Sequence, residues 1–146
     1  MKIKVTYYNI DKPNKNNHLY SRDILDCALC KFCESDFFVF KDPFRGAISD
    51  NIVGKVIKSE WSGHNLIHYI DLYEELDALK DYVYKDKLPP HGQVHFCLFG
   101  EGDLLIKEDR SNVAEVTYLE LSGMFISDSC AWSDSVIEMC CEVLQE

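Results

Sequence analysis

The stretch QVHFCLF, residues 93–99, is apolar on both faces of an extended chain, with three apolar side chains on one face and two on the other. Such a strand usually lies inside a sheet, because both of its faces need cover. The next residues, GEGD at 100–103, are typical of a turn, and LLI at 104–106 predicts the strand that returns beside the first. These residues predict a sheet as the framework of the fold.

Strand patterns recur on both sides of this stretch. KIKVTYYNI, residues 2–10, alternates polar and apolar side chains, as a half-buried strand does. Residues before and after Ser62-Gly63 predict a hairpin with a tight turn. The further predicted strands are residues 37–40, the two hairpin arms at 55–61 and 64–70, and residues 113–121.

Capping signals predict three helices. Ser21 is a suitable N-cap for a helix that runs to about Glu34. Asp71 and Glu74 have the spacing of a capping box, and apolar residues recur at helical spacing through residues 71–85. The same spacing from Ser135 predicts a last helix near the end of the chain.

Together these elements predict one globular α+β domain over residues 1–146. The expected architecture is a largely antiparallel sheet of about five to seven strands with about three helices packed on it. No internal repeat or long linker divides the chain. A chain of 146 residues is long enough to bury a substantial core.

Acidic residues are in excess and are unevenly distributed. The chain has 15 Lys and Arg against 25 Asp and Glu, a formal net charge of -10. Residues 101–146 hold eleven acidic residues against Lys107 and Arg110. Such a field repels nucleic acids and anionic membranes and attracts cationic partners. We therefore expect a basic protein partner and no direct contact with nucleic acid or membrane.

The acidic side chains of the predicted middle helix and of the region after Gly100 predict a binding surface. Tyrosines lie among them, and an aromatic ring among carboxylates is a good anchor for a basic protein surface. The predicted partner-binding residues are Glu74, Glu75, Asp77, Asp81, Glu101, Asp103, Glu108, Asp109, Glu115, Glu120, Tyr73 and Tyr118.

Three cysteines at intervals of three, Cys27, Cys30 and Cys33, are the sharpest local pattern. Thiols at this spacing occur in metal sites, but a zinc site needs a fourth ligand from elsewhere in the chain. On a capped helix the same residues are better explained as structural thiols. The expectation is no metal and no cofactor, with this run as the alternative metal site.

Signatures of catalysis are missing from the sequence. It contains no Gly-x-Ser-x-Gly, no phosphate-binding glycine-rich loop and no His-Glu-x-x-His. The pairs His64/His68 and His91/His95 are four apart but fall partly on predicted strands, so isolated surface or hydrogen-bonded histidines are expected. We therefore expect that the protein is not an enzyme.

The function that fits these features is inhibition by binding. The leading hypothesis is an immunity protein that covers the cationic surface of a basic, nuclease-type bacterial toxin, with fast electrostatic association. One alternative is a DNA-mimic phage inhibitor of a defence complex. Another is a small metal-binding or enzymatic domain built on the Cys27 to Cys33 run. The N-terminus resembles a strand rather than a signal peptide, so a cytoplasmic location is expected.

Overall fold

A computed structural model describes residues 2–73, 95–106, 112–127 and 136–139. The framework is a mixed sheet of eight strands that curls into a half-barrel. In the described part, one α-helix, α1 (Arg22–Cys30), and one 3-10 turn (Lys31–Cys33) accompany it. The strands are β1 (Lys2–Tyr7), β2 (His18–Leu19), β3 (Phe38–Phe40), β4 (Ile52–Ser62), β5 (Asn65–Leu72), β6 (His95–Ile106), β7 (Ala114–Ser127) and β8 (Val136–Met139).

The longest strand, β7, organises one half of the sheet. Its whole length pairs antiparallel with β6 on one edge. Two short strands pair parallel with its other edge: β2 pairs beside Ala114 and β3 beside Met124. From β3 the sheet continues through antiparallel β4, β5, β1 and β8. The parallel pairs make the sheet mixed rather than antiparallel.

The helix α1 connects β2 to β3 along the side of β7. Ser21 is its N-cap, and the Ser21 hydroxyl accepts a hydrogen bond from the Ile24 N–H, as predicted. The apolar face of the helix buries Leu25 and Ala28 against the sheet. Truncation of a buried leucine to alanine typically costs about 2–5 kcal/mol, so Leu25 ties the helix to the core.

The core lies on the face of β1 and β5 that carries Val5 and His68, which are directly opposite each other. The alternation predicted for residues 2–10 is confirmed over β1, where Ile3, Val5 and Tyr7 are buried. The opposite face of β5 is buried as well, at Ile67 and Tyr69. The fully buried apolar core consists of Ile3, Val5, Tyr7, Ile10, Leu25, Val39, Val53, Leu66, Ile70, Leu72, Phe96 and Met124.

The predicted fold class is wrong. The described chain is mostly strand, with a single α-helix instead of three helices on a largely antiparallel sheet. Asp71 and Leu72 belong to the end of β5, where Asp71 pairs with Lys2 on one side and Lys55 on the other. Ladder pairing on both edges outweighs a local capping signal. The rest of the predicted middle helix, residues 74–85, lies outside the described residues.

Two further local predictions are wrong for the same reason. Residues 136–139, expected at the start of the last helix, are β8, which pairs with β1. Residues 100–103, expected as a turn, continue β6 without a break. The hairpin predicted around Ser62-Gly63 is confirmed as the antiparallel pair β4–β5.

No helix among the described residues is long and apolar enough to cross a membrane.

Candidate functional site

Three of the predicted acidic residues come together on one face of the β6–β7 hairpin. Glu101 is directly opposite Glu120, and Asp103 is directly opposite Tyr118. Residues directly opposite on neighbouring strands share a face, as do residues two apart on one strand. All four side chains are exposed. We call these four residues, Glu101, Asp103, Tyr118 and Glu120, the acidic hairpin face.

The glycines between these acids explain why the strand folds this way. A Cβ on Gly100 would collide with the carbonyl oxygen of Glu120, and one on Gly102 with that of Tyr118. The two strands approach this closely only because both positions lack a side chain. The register also shifts on either side of this segment, between Phe99 and Gly100 and again after Asp103. These irregularities set which acids lie opposite each other.

The electrostatics of the acidic hairpin face are dominated by Glu120. Its Oε2 accepts a hydrogen bond from the Tyr118 hydroxyl at 3.2 Å, and its Oε1 lies 3.8 Å from Lys31 Nζ. The charge of Glu120 and this hydrogen bond raise the pKa of the Tyr118 hydroxyl, and Asp103 adds to the effect. Like charges directly opposite each other destabilise a strand pair. In the described part of the chain, Lys31 is the cation paired with these carboxylates.

The remaining predicted binding residues do not join this cluster. Glu115 is half-buried farther along β7, opposite Leu105. Tyr73 is 57% exposed, but it follows β5, and β3 and β4 separate that strand from β7. The predicted residues that lie outside the described part are Glu74, Glu75, Asp77, Asp81, Glu108 and Asp109.

The cysteine run lies on α1 and the 3-10 turn after it. Cys27, Cys30 and Cys33 are free and exposed. Within residues 2–73, 95–106, 112–127 and 136–139, no three His, Cys, Asp or Glu side chains are grouped so that they could hold a metal ion.

The prediction of a surface or hydrogen-bonded histidine is wrong for His68. His68 is fully buried between the rings of Tyr7 and Phe37, each 5.4 Å away in an edge-to-face arrangement. Neither ring nitrogen makes a hydrogen bond with any described residue. Burial lowers the pKa of His68 to about 3, so the imidazole is neutral at physiological pH. By contrast, His64 is exposed and its Nδ1 lies 2.8 Å from Asp11 Oδ2.

Sequence reasoning missed an open groove of about 920 Å³ between α1 and β4. The pairing of β3 with β4 ends at Phe38 and Lys55, so the following residues of β4 have no strand on that edge in the described chain. Trp61 closes one end, where its Nε1 donates to Asp26 Oδ1 at 2.6 Å and Arg22 lies over its ring. No sequence signal indicates this groove, because it depends on where a three-residue strand stops.

The sequence matches no protein-family model and no curated protein. Among solved structures, the chain is similar to the capsid assembly protease gp21 of bacteriophage T4, with a TM-score of 0.59. The sequence identity is 13%, and the match covers 85% of this chain and 80% of that chain. The likeness therefore extends over most of both chains, and at this identity it concerns the fold.

Proposed function

We propose that this protein is a non-catalytic binding protein that holds a basic surface of another protein against its acidic hairpin face. The observation that carries the proposal is the exposed pair Glu101 and Glu120, directly opposite each other with Asp103 on the same face. A folded protein gains nothing in stability from such a pair. A cationic partner placed across it removes the repulsion and gains the attraction of all three carboxylates.

Tyr118 supports this proposal by its position. Its side chain is 54% exposed beside the carboxylates, and its hydroxyl is oriented by Glu120. An aromatic ring held in place costs little entropy when a partner covers it. The net charge of -10 adds long-range attraction, which speeds the encounter with a basic partner.

The setting we propose is an immunity protein that acts in the cytoplasm against a basic, nuclease-type bacterial toxin. A nuclease presents a cationic surface to the phosphate backbone, and the acidic hairpin face has the charge to cover it. The alternative, a DNA-mimic phage inhibitor of a defence complex, uses the same charge. It differs in that the protein would compete with DNA for one site on its partner. The metal-binding or enzymatic alternative uses the Cys27 to Cys33 run instead of the hairpin.

A second candidate function rests on the fold. The similar structure is a protease of bacteriophage T4 capsid assembly, which favours a part in the assembly of a phage capsid. In that setting the basic partner is a capsid or scaffold protein. If this candidate function is enzymatic, the protein itself is a peptidase with the same fold.

Affinity capture from the native cell separates these settings. The intact protein and its Glu101→Lys/Glu120→Lys variant are used as paired baits, and the double variant Asp23→Lys/Glu34→Lys is the control with an equal change of charge. We expect a basic protein to be captured by the wild type and the control and lost with the hairpin variant. A nuclease toxin identifies the immunity role, and a capsid or scaffold protein identifies the assembly role. Equal capture by all three baits contradicts the proposal, as does cleavage of the captured partner by the wild type.

A further inference from the structure

The loop between β3 and β4 has a fixed shape because a buried asparagine organises it. Asn51 is fully buried, and its Nδ2 donates to the carbonyls of Asp42 and Gly46 at 2.8 Å each. Its Oδ1 accepts from the Asp42 N–H at 2.9 Å. The Asn51 N–H in turn donates to the carbonyl of Ile48 at 2.9 Å. One side chain therefore holds both arms of the loop.

This fixed loop presents a phenylalanine to solvent. Phe44 is 95% exposed, and its N–H donates to Asp42 Oδ1 at 2.9 Å. Arg45 and Asp50 form an ion pair at 2.8 Å across the loop. Ile48, on the same loop, is 46% exposed. Single exposed apolar residues are common, but an almost fully exposed ring on a loop held by buried hydrogen bonds is a preorganised anchor.

A hollow of about 840 Å³ lies on the same surface, and Phe44 forms part of its wall. Its apolar lining includes Phe99, Phe125 and Ile126, which are only partly buried. Phe99 makes edge-to-face contacts with both Phe40 and Phe125, at 5.7 Å between ring centroids. These contacts give the hollow a rigid aromatic lining of a kind that accepts another aromatic ring.

We propose that this surface binds a second copy of the chain, with Phe44 of each copy in the hollow of the other. A two-fold interface needs one patch that is complementary to itself. This patch meets that need, because an apolar knob and an apolar hollow lie side by side on it. Charges of both signs line the hollow, Lys41 with Asp42 and Glu101, so a two-fold arrangement can place the lysine of one copy against a carboxylate of the other.

The size of the patch sets the strength of the dimer. An aromatic side chain buries about 150–250 Å², so two rings and the two hollows that receive them bury on the order of 800 Å². Stable interfaces bury about 1,200–2,000 Å², so the dimer is weak. The net charge of -10 on each copy opposes association further. Exposed ion pairs across the interface contribute little, so screening of the net repulsion outweighs their loss and the dimer strengthens as salt is added. Binding of a basic partner to the acidic hairpin face weakens instead.

Analytical ultracentrifugation of the intact protein tests the proposal, with reductant present so that the cysteines form no disulfides. We expect the wild type to self-associate with rising concentration, and more strongly at high salt. Phe44→Ala should weaken the dimer at least about tenfold, as removal of an anchor residue does. Ser122→Trp should weaken it similarly, because Ser122 is exposed and lines the hollow that the new ring would occupy. Ile57→Ala, an exposed apolar residue on β4, is the matched control and should change nothing.

Mixing the two variants gives an independent result. Phe44→Ala removes one wall of its hollow but keeps the lining by Phe99, Phe125 and Ile126, and Ser122→Trp keeps its knob, so one of the two contacts can still form between them. We expect the mixture to associate more strongly than either variant alone. A wild type that stays monomeric at every concentration and salt overturns the proposal. A Phe44→Ala variant that dimerises like the wild type, or a mixture without rescue, overturns it as well.

Discussion

Glu101 on β6 and Glu120 on β7 lie directly opposite each other, on the same exposed face of the hairpin. Glu120 also lies 3.8 Å from Lys31 and accepts a hydrogen bond from Tyr118. Glu101 faces Glu120 across the strand pair, and none of the described cations forms an ion pair with it. This relationship is the basis of the proposal that a cationic partner binds the acidic hairpin face.

Neutralising Glu101 should therefore stabilise the isolated protein. Glu101→Gln removes the like-charge pair while Glu120 keeps Lys31 and Tyr118, and the expected gain in the free energy of unfolding is a few tenths of a kcal/mol. Urea denaturation at low salt measures it. The gain should shrink at high salt, because exposed charges are then screened. Loss of stability in the variant would show that Glu101 is held by a favourable contact instead.

The buried imidazole of His68 should make the fold sensitive to acid. Its pKa is about 3 in the folded protein against an ordinary value of 6.5, so below pH 6.5 only the unfolded chain takes up the proton. The stability is thus complete above pH 6.5 and falls as the pH drops toward 3, by about 1.4 kcal/mol per pH unit from this residue. His68→Leu should flatten this slope in urea denaturation measured at several pH values.

Carboxylates cause a further loss of stability in acid, and this loss is the same in the wild type and in His68→Leu. The Tyr69 hydroxyl and Lys58 lower the pKa of Glu60, and Arg45 lowers that of Asp50, so acid weakens these contacts too. The difference between wild type and His68→Leu isolates the histidine. Identical pH slopes for the two proteins would mean that His68 is hydrated or paired in solution.

Removal of the Asn51 side chain should loosen the loop that carries Phe44. Asn51→Ala breaks three hydrogen bonds at a fully buried position and leaves the Asp42 N–H and two carbonyls without this partner. We expect a loss of about 2–3 kcal/mol in the free energy of unfolding. Thermal and urea denaturation measure it, with Ile57→Ala as a control of small effect.

The same variant connects stability to self-association. If the dimer depends on a preorganised Phe44, Asn51→Ala should weaken it even though Phe44 itself is intact. If a destabilised but folded Asn51→Ala variant dimerises as strongly as the wild type, binding by Phe44 does not depend on the shape of the loop.

Local sequence signals predicted the elements whose structure is local. The alternation of Ile3, Val5 and Tyr7 gave the face of β1 correctly, and the Ser21 cap gave the start of α1. Ser62-Gly63 marked the hairpin between β4 and β5. In each case neighbouring residues along the chain supply the interactions that form the element.

The failures share a non-local cause. Asp71 was predicted to cap a helix, but strands on both sides hold it in β5. Residues 136–139 were predicted to be helical, but they pair with β1. The acids of the hairpin were named individually from the sequence. Their juxtaposition depends on two register shifts in β6–β7 and on the close approach at Gly100, and no local pattern encodes these. The exposure of Phe44, the burial of His68 and the groove beside β4 arise only when the sheet is assembled.

The central claim is tested most directly by titration calorimetry of the captured basic partner with the wild type and two charge-reversed variants. Glu101→Lys/Glu120→Lys should raise the Kd at least about tenfold, because two repelled charges replace two attracted ones at the contact. Asp23→Lys/Glu34→Lys makes the same change in net charge on exposed residues of the α1 region and should raise the Kd only slightly. Equal weakening by both variants, or none by either, would contradict a binding site on the acidic hairpin face.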